Sequence, residues 1–154
     1  MTIKEIINKY GNKRENLLQI LHDIQNQSLQ NYISEENIIT LSEKMKIPVS
    51  DIKGTASFYT MYSFVPRGKY LIRVCESPPC HILGARTIFD AVEKKLGIKE
   101  GEITKDGLFS LEATSCLGIC GVAPAMMIND EAYGNLNEKK INEILEKIQE
   151  KERK

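Results

Sequence analysis

Four cysteines are the residues of this chain best suited to chemistry. Cys75 and Cys80 form a C-x4-C pair in CESPPC, and Cys116 and Cys120 form a C-x3-C pair in SCLGICGVAP. Four thiolates arranged as two pairs are what a 2Fe-2S cluster requires, two sulfurs for each iron. On that reading Cys75 and Cys80 hold one iron and Cys116 and Cys120 the other. Gly118 and Gly121 let the second loop approach inorganic sulfide closely. The same four residues also suit a structural zinc site, two disulfides in an oxidising compartment, or buried thiols without a ligand. A thioredoxin-type dithiol lacks its C-x-x-C. A Rieske-type centre needs two histidines beside two cysteines. Here His22 lies far away in a helical pattern, and His81 is assigned to a helix start or the surface.

Placing these residues requires the elements around them. Residues 1–65 read as helices: Ile3, Ile6, Ile7 and Tyr10 share one face, and Leu17, Leu21 and Ile24 another. Ser34 is an N-cap for EENIITLSEKMK, which Pro48 stops, and Ser50 caps a helix running from Asp51 through the aromatic stretch SFYTMYSF. That stretch serves either to pack the helical region or to dock a partner, since aromatics are enriched at interfaces. KYLIRVC and LFSLEAT read as strands, HILGARTIFDAVEKKLGI between them as a helix closed by Gly97. AMMIN and AYGNL flank an Asn129–Asp130 turn, and a last helix begins near Asn137 with Ile141, Ile144, Leu145 and Ile148 on one side. The tail EKERK reads as solvated charge.

The predicted order is a helical region followed by β-α-β-β-β-α, an α+β chain divided at 1–66 and 67–154. A strand–helix–strand unit of this length favours parallel neighbours. Parallel strands put Cys75 and Cys116 at the same edge of the sheet, so the four cysteines should converge. A helix starting near His81 would aim its positive end at them. Pro78 and Pro79 would each remove an N–H otherwise available to donate to sulfur.

Composition narrows the partners. Acidic and basic residues balance at 21 each among 154 residues, which gives no reason to expect a nucleic-acid or acidic-membrane surface. No apolar run approaches the length of a bilayer span, and the charged N-terminal stretch lacks a signal-peptide core. The expected compartment is the cytoplasm, where cysteines stay reduced unless they bind metal or do redox work.

The runs GTASFYTMYSFVPRGKYLIRVCESPPCHILGA and SCLGICGVAPAMMINDEAYGNL resemble the small thioredoxin-like 2Fe-2S subunit of respiratory complex I and its counterpart in soluble NAD(P)-linked hydrogenases and formate dehydrogenases. The resemblance covers nearly the whole chain. It implies a thioredoxin-like ferredoxin domain after the helical region, and a 2Fe-2S cluster on Cys75, Cys80, Cys116 and Cys120. It also implies electron transfer with no catalytic residues of its own. The implied partner is a larger flavoprotein subunit that carries FMN and the NAD(P)H site, and through it a hydrogenase- or dehydrogenase-type subunit. Many hydrogenase-type relatives carry glycine or threonine where this chain has ESPP, which bears on the surroundings of the cluster and leaves its ligands untouched. A free-standing thioredoxin-like ferredoxin and a zinc-stapled interaction module are the alternative readings.

Overall fold

A computed structural model describes residues 1–153. The chain divides into two compact units, Met1–Arg67 and Gly68–Lys154.

The first unit is helical: α1 (Ile3–Tyr10), α2 (Leu17–Gln27), α3 (Glu35–Met45) and α4 (Val49–Phe58). Thr2 and Glu5 form a reciprocal capping box at the start of α1, and Ser34 caps α3 through the Asn37 N–H. The apolar faces meet in one core built on Ile6, Leu17, Ile20, Leu21, Ile24, Ile38, Leu41 and Ile52. Helix α4 differs from the sequence expectation at both ends. It starts at Val49 with Pro48 in the N-cap position, and it stops at Phe58 rather than running through the aromatic stretch.

Residues 59–65 instead form a loop pinned from inside by a buried glutamine. Gln25 donates to the Met61 carbonyl (2.8 Å) and accepts from the Ser63 N–H (2.9 Å). Tyr62 donates to the Leu18 carbonyl and packs on the core, whereas Phe58 is 80% exposed and Met61, Phe64 and Val65 also face outward. The aromatic run is therefore split between packing and surface.

The second unit is a four-stranded sheet in the order β2-β1-β3-β4, with β1 (Tyr70–Cys75), β2 (Phe109–Thr114), β3 (Met126–Ile128) and β4 (Glu131–Tyr133). β1 and β2 are parallel in the register Tyr70↔Phe109 to Cys75↔Thr114, and the other pairs are antiparallel. Between β1 and β2 the expected single helix is two: α5 (Pro78–Ile82) and α6 (Ala85–Leu96). Gly84 adopts a left-handed conformation between them and Gly97 another at the end of α6. α7 (Glu138–Glu152) follows, capped by Asn137. Alternate residues Ile72, Val74, Phe109 and Leu111 bury one face of the sheet with Ile88, Phe89 and Val92 of α6 and Ile141 and Leu145 of α7. Each such side chain contributes about 1.5–3 kcal/mol when fully buried.

Two contacts fix how β1 enters this sheet. Gly68 lies so close to β2 that a Cβ there would stand 2.3 Å from the Phe109 carbonyl carbon and 2.5 Å from the Ser110 nitrogen. Those are backbone atoms of a paired strand, which cannot step aside. Gly68→Ala is expected to cost about 1–3 kcal/mol in a urea titration; an unchanged midpoint would contradict the close approach.

The second contact corrects the expectation for EKERK. α7 runs on to Glu152, whose carboxylate accepts hydrogen bonds from Lys69 Nζ and Tyr70 Oη. Those bonds, Lys69 first, hold the Glu152 carboxyl below its ordinary value. A lowered carboxyl contributes stability above its unfolded pKa and loses it as the pH falls through the folded one. Glu152→Gln should therefore lower Tm at pH 7, with the difference from wild type shrinking once the pH is taken below about 4.3. A difference that persisted unchanged in acid would rule out the ionised contact.

Candidate metal centre

β1 ends at Cys75, and β2 ends at Thr114, two residues before Cys116. Because the strands are parallel and Cys75 pairs with Thr114, both cysteine segments leave the sheet at one edge. Cys75 and Cys80 are buried, each 2% exposed, in a small apolar nest with Ala85 and Ala125, flanked by Leu117, Ile119 and Ala123. Cys116 and Cys120 are exposed, with their sulfurs 3.5 Å apart. The site thus has a dry side and an open side.

Backbone N–H groups point at the sulfurs. The Gly118 N–H donates to Cys116 Sγ at 3.4 Å. Burial alone would push the Cys75 thiol up, but the N–H groups of Leu117 and Ser77, with the Cys80 thiol, bring it below its ordinary value. Cys80 is pushed up by burial and by Cys75, and the Ala125 N–H only partly offsets this. Cys120 is pushed up by the neighbouring Cys116 and also feels the charge of Cys75.

The first loop departs from the sequence expectation. Its helix begins at Pro78, three residues earlier than His81, and Cys80 is its third residue. Pro78 and Pro79 occupy the first two helical positions, where an N–H has no partner within the helix in any case. The prolines set the backbone angle that starts the turn. His81 and His22 are exposed, as is Glu76.

The residues present fit a two-iron cluster. Both cysteine segments leave the sheet at one edge, and the Gly118 main-chain N–H is aimed at the Cys116 sulfur. At Gly118 and Gly121, moreover, no atom lies within 4 Å of where a side chain would begin, which leaves the second loop unobstructed. Among the described residues no group of three or more His, Cys, Asp or Glu side chains is gathered for a single ion. Sequence reasoning missed the Gly118 N–H as a donor to the Cys116 sulfur, because a main-chain N–H leaves no signature in residue type. It also missed Gly134, whose contact with the second loop is purely spatial.

The family description of a thioredoxin-like [2Fe-2S] ferredoxin matches residues 3–149. The chain belongs to that family. Its family cofactor is a 2Fe-2S cluster. The chain is 40% identical over 143 residues to a subunit of the NADH-quinone oxidoreductase of Aquifex aeolicus (strain VF5), covering 93% of this ferredoxin and 88% of that protein. It is 33% identical over 143 residues to the HndA subunit of the NADP-reducing hydrogenase of Solidesulfovibrio fructosivorans, with coverages of 93% and 82%. Among solved structures, an NAD+-reducing [NiFe]-hydrogenase in the air-oxidized state superposes with a TM-score of 0.78 at 26% identity. That match covers 88% of this ferredoxin and 23% of the longer chain. The fold class expected from the sequence, α+β with a thioredoxin-like ferredoxin domain, agrees with the observed four-stranded mixed sheet and with this membership. No helix among the described residues is long and apolar enough to cross a membrane.

Proposed function

We propose that this chain holds one 2Fe-2S cluster on Cys75, Cys80, Cys116 and Cys120 and transfers electrons as a subunit of an NAD(P)H-linked multisubunit oxidoreductase. The observation that carries this reading is the delivery of both cysteine segments to one sheet edge by the parallel β1–β2 pair, in which Cys75 lies opposite Thr114. When bound, the cluster supplies a one-electron redox centre. The chain's own part is positional. Cys75 and Cys80 grip from the dry side and Cys116 and Cys120 from the open side. The Gly118 N–H donates to Cys116 Sγ, and hydrogen bonds of this kind are one lever by which a protein sets cluster potential.

In this reading no residue of the chain acts as acid, base or nucleophile. The nucleotide chemistry belongs to a partner, an FMN- and NAD(P)-binding iron–sulfur flavoprotein subunit, and through it to a larger hydrogenase- or dehydrogenase-type subunit. The relatives named as subunits of NADH-quinone oxidoreductase and NADP-reducing hydrogenase support this assignment. The cytoplasm, where unliganded thiols stay reduced, is the compartment that suits it. Residues 1–66 and 67–154 are proposed as separate domains, the first serving to dock the partner through the outward aromatics Phe58 and Phe64.

The purified protein should contain iron and acid-labile sulfide in equal amounts and give a one-electron EPR signal on reduction. A colourless protein with one bound zinc would sink the reading. A flavoprotein should co-purify from the source cell; a cluster-bearing chain that comes down alone would favour a free-standing ferredoxin. A fragment spanning 67–154 should keep the cluster and lose the flavoprotein.

A further inference from the structure

The second cysteine loop is held from outside by a strap that its own sequence does not announce. Cys120–Val122 is a single 3-10 turn, closed by Val122 N–H to the Ile119 carbonyl (3.1 Å) and Ala123 N–H to the Cys120 carbonyl (3.2 Å). Val122 and Cys120 are thereby fixed relative to one another. The link from β4 to α7 lies across this turn: the Asn135 N–H donates to the Val122 carbonyl and the Leu136 N–H to the Pro124 carbonyl. From the other side, Lys140 Nζ in the first turn of α7 donates to the carbonyls of Asn135 (3.1 Å) and Gly134 (3.4 Å).

The approach closes at Gly134. A Cβ there would lie 2.4 Å from Val122 Cγ2, 2.5 Å from Val122 Cβ and 2.8 Å from the Val122 carbonyl oxygen. Gly134 is not among the positive-φ glycines, so any residue could adopt its backbone. Space alone requires the glycine. Two of the atoms in the way sit on or next to the main chain, so an added methyl cannot be met by a rotamer change. The strap and the turn that carries Cys120 must then shift apart.

We infer that Gly134 is a positioning residue of the metal centre: it lets the strap lie flat on the Cys120–Val122 turn and so fixes where the Cys120 thiolate stands. This rests on the assignment of Cys120 as a ligand. Partners that orient metal ligands are typically worth about 10–100-fold in metal affinity.

The test uses the full-length, cluster-bearing chain and the variants Gly134→Ala, Lys140→Met and the double variant Gly134→Ala with Val122→Gly. Four quantities are read: iron and sulfide content, the EPR line shape after reduction, the midpoint potential, and the rate of iron loss to a chelator. Gly134→Ala should shift the line shape and potential and speed iron loss by about 10-fold. The double variant removes both Val122 side-chain obstacles and should return most of that change. Lys140→Met loosens the strap without crowding it, and should speed iron loss in the same direction by a smaller factor. It also keeps the question answerable if Gly134→Ala fails to fold. Wild-type line shape, potential and release in every variant that folds would overturn the inference, even if the urea midpoint fell, because that fall alone marks a structural role. A wild-type chain with neither iron nor sulfide would overturn the ligand assignment itself and this inference with it.

Discussion

Cys75→Ser and Cys80→Ser are expected to abolish cluster binding, whereas Cys116→Ser and Cys120→Ser should leave a share of the protein loaded, with an altered EPR signal. The difference follows from burial. The first pair is 2% exposed in a nest of alanine and aliphatic side chains, where neither water nor a neighbouring oxygen can take the place of a lost thiolate. The second pair faces solvent on a loop with glycine at 118 and 121, so a serine oxygen or water can reach the vacated position. Loss of a partner behind a ligand already costs about 10–100-fold in metal affinity, and loss of the ligand on the closed side should exceed that. Iron and sulfide per chain, with circular dichroism to verify folding, measure the effect. Equal retention by all four variants, or better retention by the buried pair, would contradict the dry-side and open-side geometry.

Phe109→Ala should be among the most destabilising single substitutions in the second unit, at about 3–5 kcal/mol. The ring is 1% exposed, sits in the core with Ile72, Val92 and Leu145, and lies 5.8 Å from the Tyr70 ring on the paired strand. At roughly 4–8 °C per kcal/mol for a domain of this size, Tm should fall by more than about 12 °C. Phe58→Ala, which removes a ring that is 80% exposed, should change stability by no more than about 0.5 kcal/mol. Calorimetry on both variants decides the matter; a comparable loss for Phe58 would mean that its outward ring is packed after all.

The parts of this molecule that local chemistry dictates were legible in the residues. Ser34, Asn137 and Gly97 mark helix ends because capping and left-handed closure depend on side chains one to three residues away. The meeting of Cys75 with the Cys116 segment followed from strand alternation and the preference of a β-α-β unit for parallel strands. Misreadings arose where two local rules competed. ILGAR keeps a helical pattern across Gly84, so the residue types hide the break that its left-handed backbone makes between α5 and α6. Double proline signals a stiff loop and a helix start equally well, and here it is the start. The aromatic stretch after Phe58 continues the apolar pattern, but its loop is fixed by Gln25, a contact across 36 positions that no short window contains. Gly134 belongs to the same class, its partner Val122 lying in another loop.

The contact of Glu152 with Lys69 and Tyr70 has one more consequence. It places the last turn of the second unit beside its first strand, so that unit begins and ends at the same spot on its surface. A unit with adjacent ends can be joined to other polypeptide at either end, or inserted within it, without stretching its own backbone. Anchored ends make this electron-carrier fold portable: selection can tether it to new neighbours while the cysteine edge stays as it is.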